Sequence, residues 1–478
     1  MDLQEFRTNA HRIADWMADY LVSLPDRPVT PSLEPGAIRR QFPAAPPSSG
    51  ESFDRVLADV ERIVMPGMSH WQHPGWFGYF PADTSPASVL AEMMTAAMGA
   101  NCMSWATCPA GTETEQAMMD WLRQLVGLPA TFTGVIQDTA SSATLVAILC
   151  ARERATDFAW SRLGASAPDA QRLTVYASGE AHSSIAKGVR LAGIGEERLR
   201  VIDTDASFAM RPDALAKALA ADVAAGLKPA CVVATVGTTS STAIDPVPAI
   251  AELAAQYGAW LHVDAAYAGS AAVLPEQRHL LAGVERADSF VFNPHKWLFT
   301  NFDCSAYYLR DVDTLVRTCG IHPEYLKSAH DAAVANYRDW GIPLGRRFRA
   351  LKLWFVLRDF GVDGLQAKIR EHIALAQEFR EWVEADPAFE PMAPTPLGLV
   401  CFRHRPAKLR ADDPAVDELN RQLVGAINAT GRALLTHTTL NGRYVLRLSI
   451  GSLALTRDYL RETWALIMEC ANGIRVGL

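Results

Sequence analysis

The chain has 478 residues, too many for one small core, so two or three packed regions are expected. Hydrophobic residues make up 49% and charged residues 21%, the ordinary balance of a globular protein. With 45 basic and 53 acidic residues the net charge is -8, and no basic run offsets it, which argues against a nucleic-acid or anionic-membrane partner. The first residues carry acids and no basic stretch before an apolar core, so no secretory signal is expected. No apolar run reaches the roughly 18 residues of a membrane helix. Cysteines stand at 102, 108, 150, 231, 304, 319, 401 and 470 without a Cys-x-x-Cys pair, the pattern of reduced thiols in a cytoplasmic protein.

Phe6, Ile13, Trp16, Met17, Tyr20 and Leu21 fall at helical spacing and predict a helix to about residue 24. A Pro/Gly/Ser-rich stretch from Pro25 to Gly50 predicts irregular chain, and 51–85 reads as a helix followed by a loop of aromatics and prolines. The N-terminal segment, 1–85, has an apolar helix face and little to bury it, so it should pack elsewhere on the chain or on a second subunit. From 86 to 360 short apolar runs alternate with alanine-rich helical stretches such as 212–225 and 247–256. The runs are Leu173–Tyr176, Cys231–Val236, Trp260–Val263 and Ser289–Phe292, and their near-continuous apolarity predicts an α/β fold around a mainly parallel sheet. A long helix near 346–360 and an α+β region, 361–478, complete the chain.

Polar residues gather just after these runs, where parallel sheets bind ligands. Asp264 follows Leu261-His262-Val263, and Asn293-Pro294-His295-Lys296 follows Phe290-Val291-Phe292. His182 lies shortly after Tyr176. After Gly134-Val135-Ile136 come Gln137, Asp138 and Thr139, then Ala140-Ser141-Ser142-Ala143-Thr144 ahead of a helix expected from about Leu145; small residues opening a helix suit a phosphate. Singly, Asp264 also suits a helix cap, Lys296 a surface lysine and His182 a core histidine. Together they supply an amine, an acid, a stacking ring and a phosphate cup, the set that pyridoxal phosphate requires.

Longer motifs carry a resemblance: His70-Trp71 with Tyr79-Phe80-Pro81, Ser104-Trp105, Leu261 to Ser270, Phe292 to Trp297, Asn301 to Ala306, and Ile342 to Arg349. On these residues the chain resembles the group II pyridoxal-phosphate decarboxylases, of the aromatic L-amino-acid decarboxylase type, from residue 1 to about 378 and more loosely beyond. The resemblance implies fold type I, as in aspartate aminotransferase, and pyridoxal 5'-phosphate as cofactor. It implies that Lys296 holds the cofactor as an imine, Asp264 pairs with the pyridine nitrogen and His182 stacks on the ring. Thr235 and Ala266 would sit against the cofactor, with Ala140, Ser141, Asn293 and His295 around its phosphate. Trp71, Tyr79, Phe80 and Pro81 would receive the substrate's aromatic ring, and Tyr325 would be the proton donor of a mobile loop. Two positions depart from the animal enzymes of the family: Ala82 replaces a threonine, and Met103 replaces a phenylalanine that reaches the pocket of the neighbouring subunit. Methionine is flexible, so rings of another shape become acceptable. Gly345 stands where histidine decarboxylases and tyrosine-preferring plant members carry serine.

The reaction so implied is decarboxylation of an aromatic L-amino acid to its amine, with DOPA, tryptophan or 5-hydroxytryptophan favoured over histidine, and tyrosine and phenylalanine as further candidate substrates. Aromatic aldehyde synthases of the same family carry phenylalanine in place of the loop tyrosine, so Tyr325 favours the amine. A non-catalytic protein of this fold would be expected to lack Lys296, Asp264 or Tyr325. A metal is not expected, because His70 and His73 have no cysteine or carboxylate cluster nearby. The resemblance also implies a homodimer with active sites at the interface.

Overall fold

The computed structural model describes residues 1–321, 323–326, 330, 331 and 333–474, with the side chain of Tyr325 outside that description. Packing divides the chain into two compact units, one of Met1–Pro81, Glu378–Met392 and Phe402–Leu478, the other of Ala82–Gln377 and Ala393–Cys401.

The second unit is built on seven strands: β1 (Thr133–Gln137), β2 (Leu173–Ser178), β3 (Leu199–Ile202), β4 (Lys228–Thr235), β5 (Trp260–Asp264), β6 (Ser289–Phe292) and β7 (Ser305–Leu309). They lie in the order β1-β7-β6-β5-β4-β2-β3. Each of the four apolar runs became a strand of this sheet, buried along its whole length or nearly so. Strands β3, β2, β4, β5 and β6 pair in parallel, while β7 runs antiparallel to both β6 and β1. Reversing one strand places the start of β7 beside the ends of β1 and β6, a point that matters at the site.

Helix Ala140–Ala155 covers one face of the sheet with Ala143, Val146, Ala147 and Cys150, packed among Val175, Val233, Trp260 and Val291. Alanines allow the helix to approach closely, and the β-branched strand residues fill the space between. The helix begins at Ala140, five residues before the expected start near Leu145, because the Thr139 side chain accepts the Ser142 N–H and caps it there. Helices Pro212–Ala224 and Val247–Gln256 match the alanine-rich stretches. The helical run Arg349–Ala385 is broken at Gly361, whose φ of 61° only glycine adopts without strain.

In the first unit, helix Leu3–Ser23 opens with a capping box between Asp2 and Glu5 and buries none of its residues. The aromatic loop is stitched to the far end of the chain: Phe77 N–H donates to the Leu434 carbonyl and Ser449 N–H to that of Phe77. Strands β8 (Phe389–Pro391), β9 (Leu399–His404), β10 (Thr436–Leu440) and β11 (Arg443–Ser449) form a second sheet in the order β10-β11-β9-β8. No helix among the described residues is long and apolar enough to cross a membrane.

Candidate active site

Asp264 is the last residue of β5 and Thr235 the last of β4, and the parallel register sets them side by side. The Asp264 carboxylate is buried, and its Oδ1 accepts the Ala266 N–H at 3.0 Å. Buried carboxylates are costly without compensation, so this one is placed for a cationic partner. Beside it the Thr235 Oγ1 is buried and has no hydrogen-bond partner among the described residues. The end of β4 is itself clamped: Asp245 accepts the Thr235 N–H at 2.8 Å and the Met210 N–H at 2.7 Å, and burial raises its pKa to about 6. Past the strand, Gly237 turns with φ +84°, where a side chain would press on Ala268.

On the other side of β5, β6 delivers Asn293 and then the short helical turn Pro294–Trp297 that carries Lys296. The Asn293 N–H donates to the Ala266 carbonyl at 3.0 Å, tying the lysine turn to the residue after Asp264. Ser305 heads the antiparallel β7, and its Oγ donates to Asn293 Oδ1 at 2.6 Å. Asn293 Nδ2 is then left as a donor. Ser305 is also in register with Gln137 at the end of β1, just before the helix that begins at Ala140. The first N–H groups of that 16-residue helix, those of Ala140 and Ser141, lack intrahelical acceptors and carry its positive end.

His182 follows the end of β2. Its Nδ1 accepts the Ser184 N–H at 3.1 Å and lies 2.8 Å from the Ser184 hydroxyl, so the ring is held in one orientation. Burial lowers its pKa; the Asp264 carboxylate opposes this and the Lys296 ammonium adds to it. His182 thus feels the charges of both Asp264 and Lys296. His295 is tied elsewhere: its Nδ1 accepts the Cys304 N–H at 2.9 Å and its ring lies against Phe302. Burial, with the neighbouring Lys296 charge, holds it neutral with a pKa of about 3.

The expected substrate wall is divided between the units. Trp71, Tyr79, Phe80 and Pro81 belong to the first, where Trp71 stacks on Trp76 at 4.4 Å and on Tyr79 at 5.6 Å. Ala82, Met103 and Gly345 belong to the second. Segment 101–105 is laced there to 336–346: Cys102 N–H donates to the Arg346 carbonyl at 2.9 Å and Arg338 N–H to that of Met103 at 2.8 Å. A side chain at Gly345 would meet nothing closer than Asn101 Nδ2 at 3.9 Å. His70 and His73 are tied into the aromatic loop: His70 Nδ1 bonds Tyr20 Oη at 2.8 Å, and His73 Nδ1 accepts the Gly75 N–H. The side chain of Tyr325 lies outside the described residues; its backbone is in the short turn Glu324–Leu326.

Sequence reading missed Ser305, Asp245 and Ser184. A hydroxyl heading the strand after the lysine turn was a signal for Ser305. Nothing local marked Asp245, whose partners come from the end of β4 and from Met210. The residues present fit pyridoxal phosphate: a donor-rich helix terminus, a lysine, a buried carboxylate, and an orphaned threonine hydroxyl between strand ends.

Comparison with known proteins agrees. A phenylacetaldehyde synthase from Arabidopsis thaliana is 42% identical, covering 99% of this chain and 97% of its own. An aromatic-L-amino-acid decarboxylase from Sus scrofa is 44% identical over 97% of this chain and 96% of its own. The crystal structure of Oryza sativa TDC with PLP and tryptamine superposes with a TM-score of 0.95 at 40% identity, covering 99% of this chain and 98% of that one. The fold is of type I and the cofactor is pyridoxal 5'-phosphate. Residues 35–405 match the pyridoxal-dependent decarboxylase conserved domain, and the chain belongs to that family of carboxy-lyases.

Proposed function

We propose that this chain decarboxylates an aromatic L-amino acid, with DOPA, tryptophan or 5-hydroxytryptophan preferred, to the corresponding amine and CO2. The observation that carries the reading is the trio of Lys296, Asp264 and His182 at adjoining strand ends beside an unpartnered Thr235 hydroxyl. Lys296 would hold the cofactor through its side-chain amine. The buried Asp264 carboxylate would keep the ring nitrogen of the cofactor protonated, its charge strengthened by the low dielectric around it. Thr235 Oγ1 gains a partner at the ring edge. His182, kept neutral by burial, packs flat without adding a competing charge. The Ala140 and Ser141 N–H groups and Asn293 Nδ2 would hold the phosphate, and His295, whose Nδ1 is taken by the Cys304 N–H, would meet that end only through its other ring nitrogen. When bound, pyridoxal phosphate supplies the electron sink for the pair left at the substrate's Cα when CO2 departs.

Trp71, Tyr79, Phe80, Pro81, Ala82, Met103 and Gly345 form the ring-binding surface in this reading, drawn from two subunits of a cytoplasmic homodimer. Tyr325 Oη delivers the proton to Cα under a closed loop, which is what selects amine over aldehyde. Likeness to a phenylacetaldehyde synthase supports a second reading, aldehyde formation with consumption of oxygen. A panel of DOPA, tryptophan, tyrosine, phenylalanine and histidine, followed by amine, aldehyde and oxygen, separates the two. We expect amine from the wild type and aldehyde with ammonia from Tyr325→Phe. Amine alone from that variant would sink the role of Tyr325, and oxygen uptake by the wild type would favour the second reading. In Lys296→Ala the borohydride-sensitive visible absorbance should vanish; its persistence would overturn the attachment.

A further inference from the structure

We propose that Cys102 and Cys108 are an oxidation site, a dithiol that an organic disulfide such as oxidised glutathione closes to an intramolecular disulfide, shifting the segment that carries Met103. All eight cysteines are free thiols. Their sulfurs are neighbours across a short loop that includes Met103, both lying 2.9 Å or less from the point where a Gly111 side chain would begin. Cys102 is buried and Cys108 partly exposed, the arrangement of an entering thiol and a resolving one. Gly111, on the helix Pro109–Leu125, makes room for the pair: a side chain there would collide with both sulfurs. Burial, and then the adjacent Cys108, push the Cys102 thiol up to about 12, so Cys102 waits as the thiol while Cys108 meets the oxidant.

The exchange balances in two steps. Cys108 sulfur attacks one sulfur of the oxidised glutathione, forming a mixed disulfide and releasing one glutathione thiol. Cys102 then displaces the second glutathione, so the protein loses two electrons and two protons and two glutathione thiols are formed. Sulfurs in a disulfide stand about 2.05 Å apart, closer than any non-bonded pair, so closure draws the ends of the loop together. Residues 101–105 have little slack. Beyond the Cys102–Arg346 and Met103–Arg338 bonds, Trp105 N–H donates to Asn336 Oδ1 at 3.2 Å and Arg346 N–H to Asn101 Oδ1 at 3.1 Å. The contraction is therefore passed to Met103 and to the segment ending at Gly345.

That consequence for substrate rests on the functional reading above; the disulfide itself does not. The test is to incubate the cofactor-loaded enzyme with oxidised glutathione, alkylate without reduction, and map peptides by mass. We expect Cys102 and Cys108 to escape alkylation in a peptide lighter by two hydrogens. Alongside, KM for the preferred aromatic amino acid should rise roughly threefold or more, reversed by dithiothreitol. Cys108→Ser should show neither effect, serine being a favourable residue at a helix N-terminus. Cys102→Ser should trap a single glutathione on Cys108. Alkylation of both thiols after treatment would overturn the site. A disulfide with unchanged KM would overturn its link to Met103. Turnover of no aromatic amino acid would count against the functional reading, while the mass map still decides the site.

Discussion

His262 lies two residues before Asp264, so both side chains leave the same face of β5. Its Nδ1 and the Ser289 hydroxyl are 2.9 Å apart, and Ser289 also accepts the Trp260 indole N–H at 2.8 Å. A second bond, at 3.4 Å, joins its Nε2 to Thr144 on helix Ala140–Ala155. The ring is a polar strut beneath the carboxylate. Burial drops its pKa to about 4, against the ordinary 6.5, with Asp264 opposing. The unfolded chain therefore binds more protons between those values, and stability falls as pH drops from 6.5 towards 4. His262 contributes its full share, about 3 kcal/mol, only above pH 6.5. His295, depressed to about 3, acts in the same direction and extends the loss to lower pH. His262→Gln should flatten the fall in the denaturation midpoint between pH 6.5 and 4; an unchanged slope would show that the ring is not neutral in the fold. Lys296, Asp264 and His182 were legible in sequence because each follows a recognisable apolar strand. His262 was read only as part of that strand, since a buried histidine and a buried apolar residue look alike without their neighbours.

At the scale of elements, Glu115 and Arg346 form a buried ion pair that fixes where two segments meet the end of β1. Arg346 reaches both Glu115 oxygens, at 2.7 and 3.0 Å, and the Ile136 carbonyl at 2.6 Å, while Glu115 also accepts the Ile136 N–H. Both side chains are less than a tenth exposed. The Arg346 backbone holds Cys102, so the pair sets the spacing between Met103 and Gly345. Arg346→Met strands a buried carboxylate and should cost about 3–5 kcal/mol, whereas Glu115→Gln with Arg346→Met should recover part of that. Urea denaturation of these two variants and of Glu115→Gln alone measures it; equal losses in the Arg346→Met and double variants would mean that the charges are not coupled. None of this was readable from the chain, because the partners are far apart in sequence and meet at the end of β1. Parallel strands announce themselves by unbroken apolar runs. Edge strand β3, Leu-Arg-Val-Ile, has a polar residue inside and a half-exposed pattern, and it gave no such signal.

At the scale of the whole molecule, the N-terminal helix presents an apolar face that the described residues of a single chain do not cover. Helix Leu3–Ser23 buries no residue, yet Leu3, Phe6, Ala10 and Ala14 line one open groove along it. Leu3 is 86% exposed and Phe6 55%. Isolated helices are marginal in water, and this one has a good cap but little packing to hold it. A second copy of the chain is the partner that a homodimeric reading supplies, covering the stripe on both copies by the same symmetry operation. Leu3→Asp with Phe6→Asp places two carboxylates where that contact would bury them, at a cost that a modest interface cannot absorb. Sedimentation should then find the wild type at twice the 52.1 kDa chain mass and the double variant nearer the single-chain mass. If Met103 serves the neighbouring site, activity per chain in the variant should fall on dilution, with the cofactor absorbance retained because Lys296, Asp264 and Thr235 all lie in one unit. A wild type that sediments as a single chain at full activity would refute the dimer and with it the shared pocket.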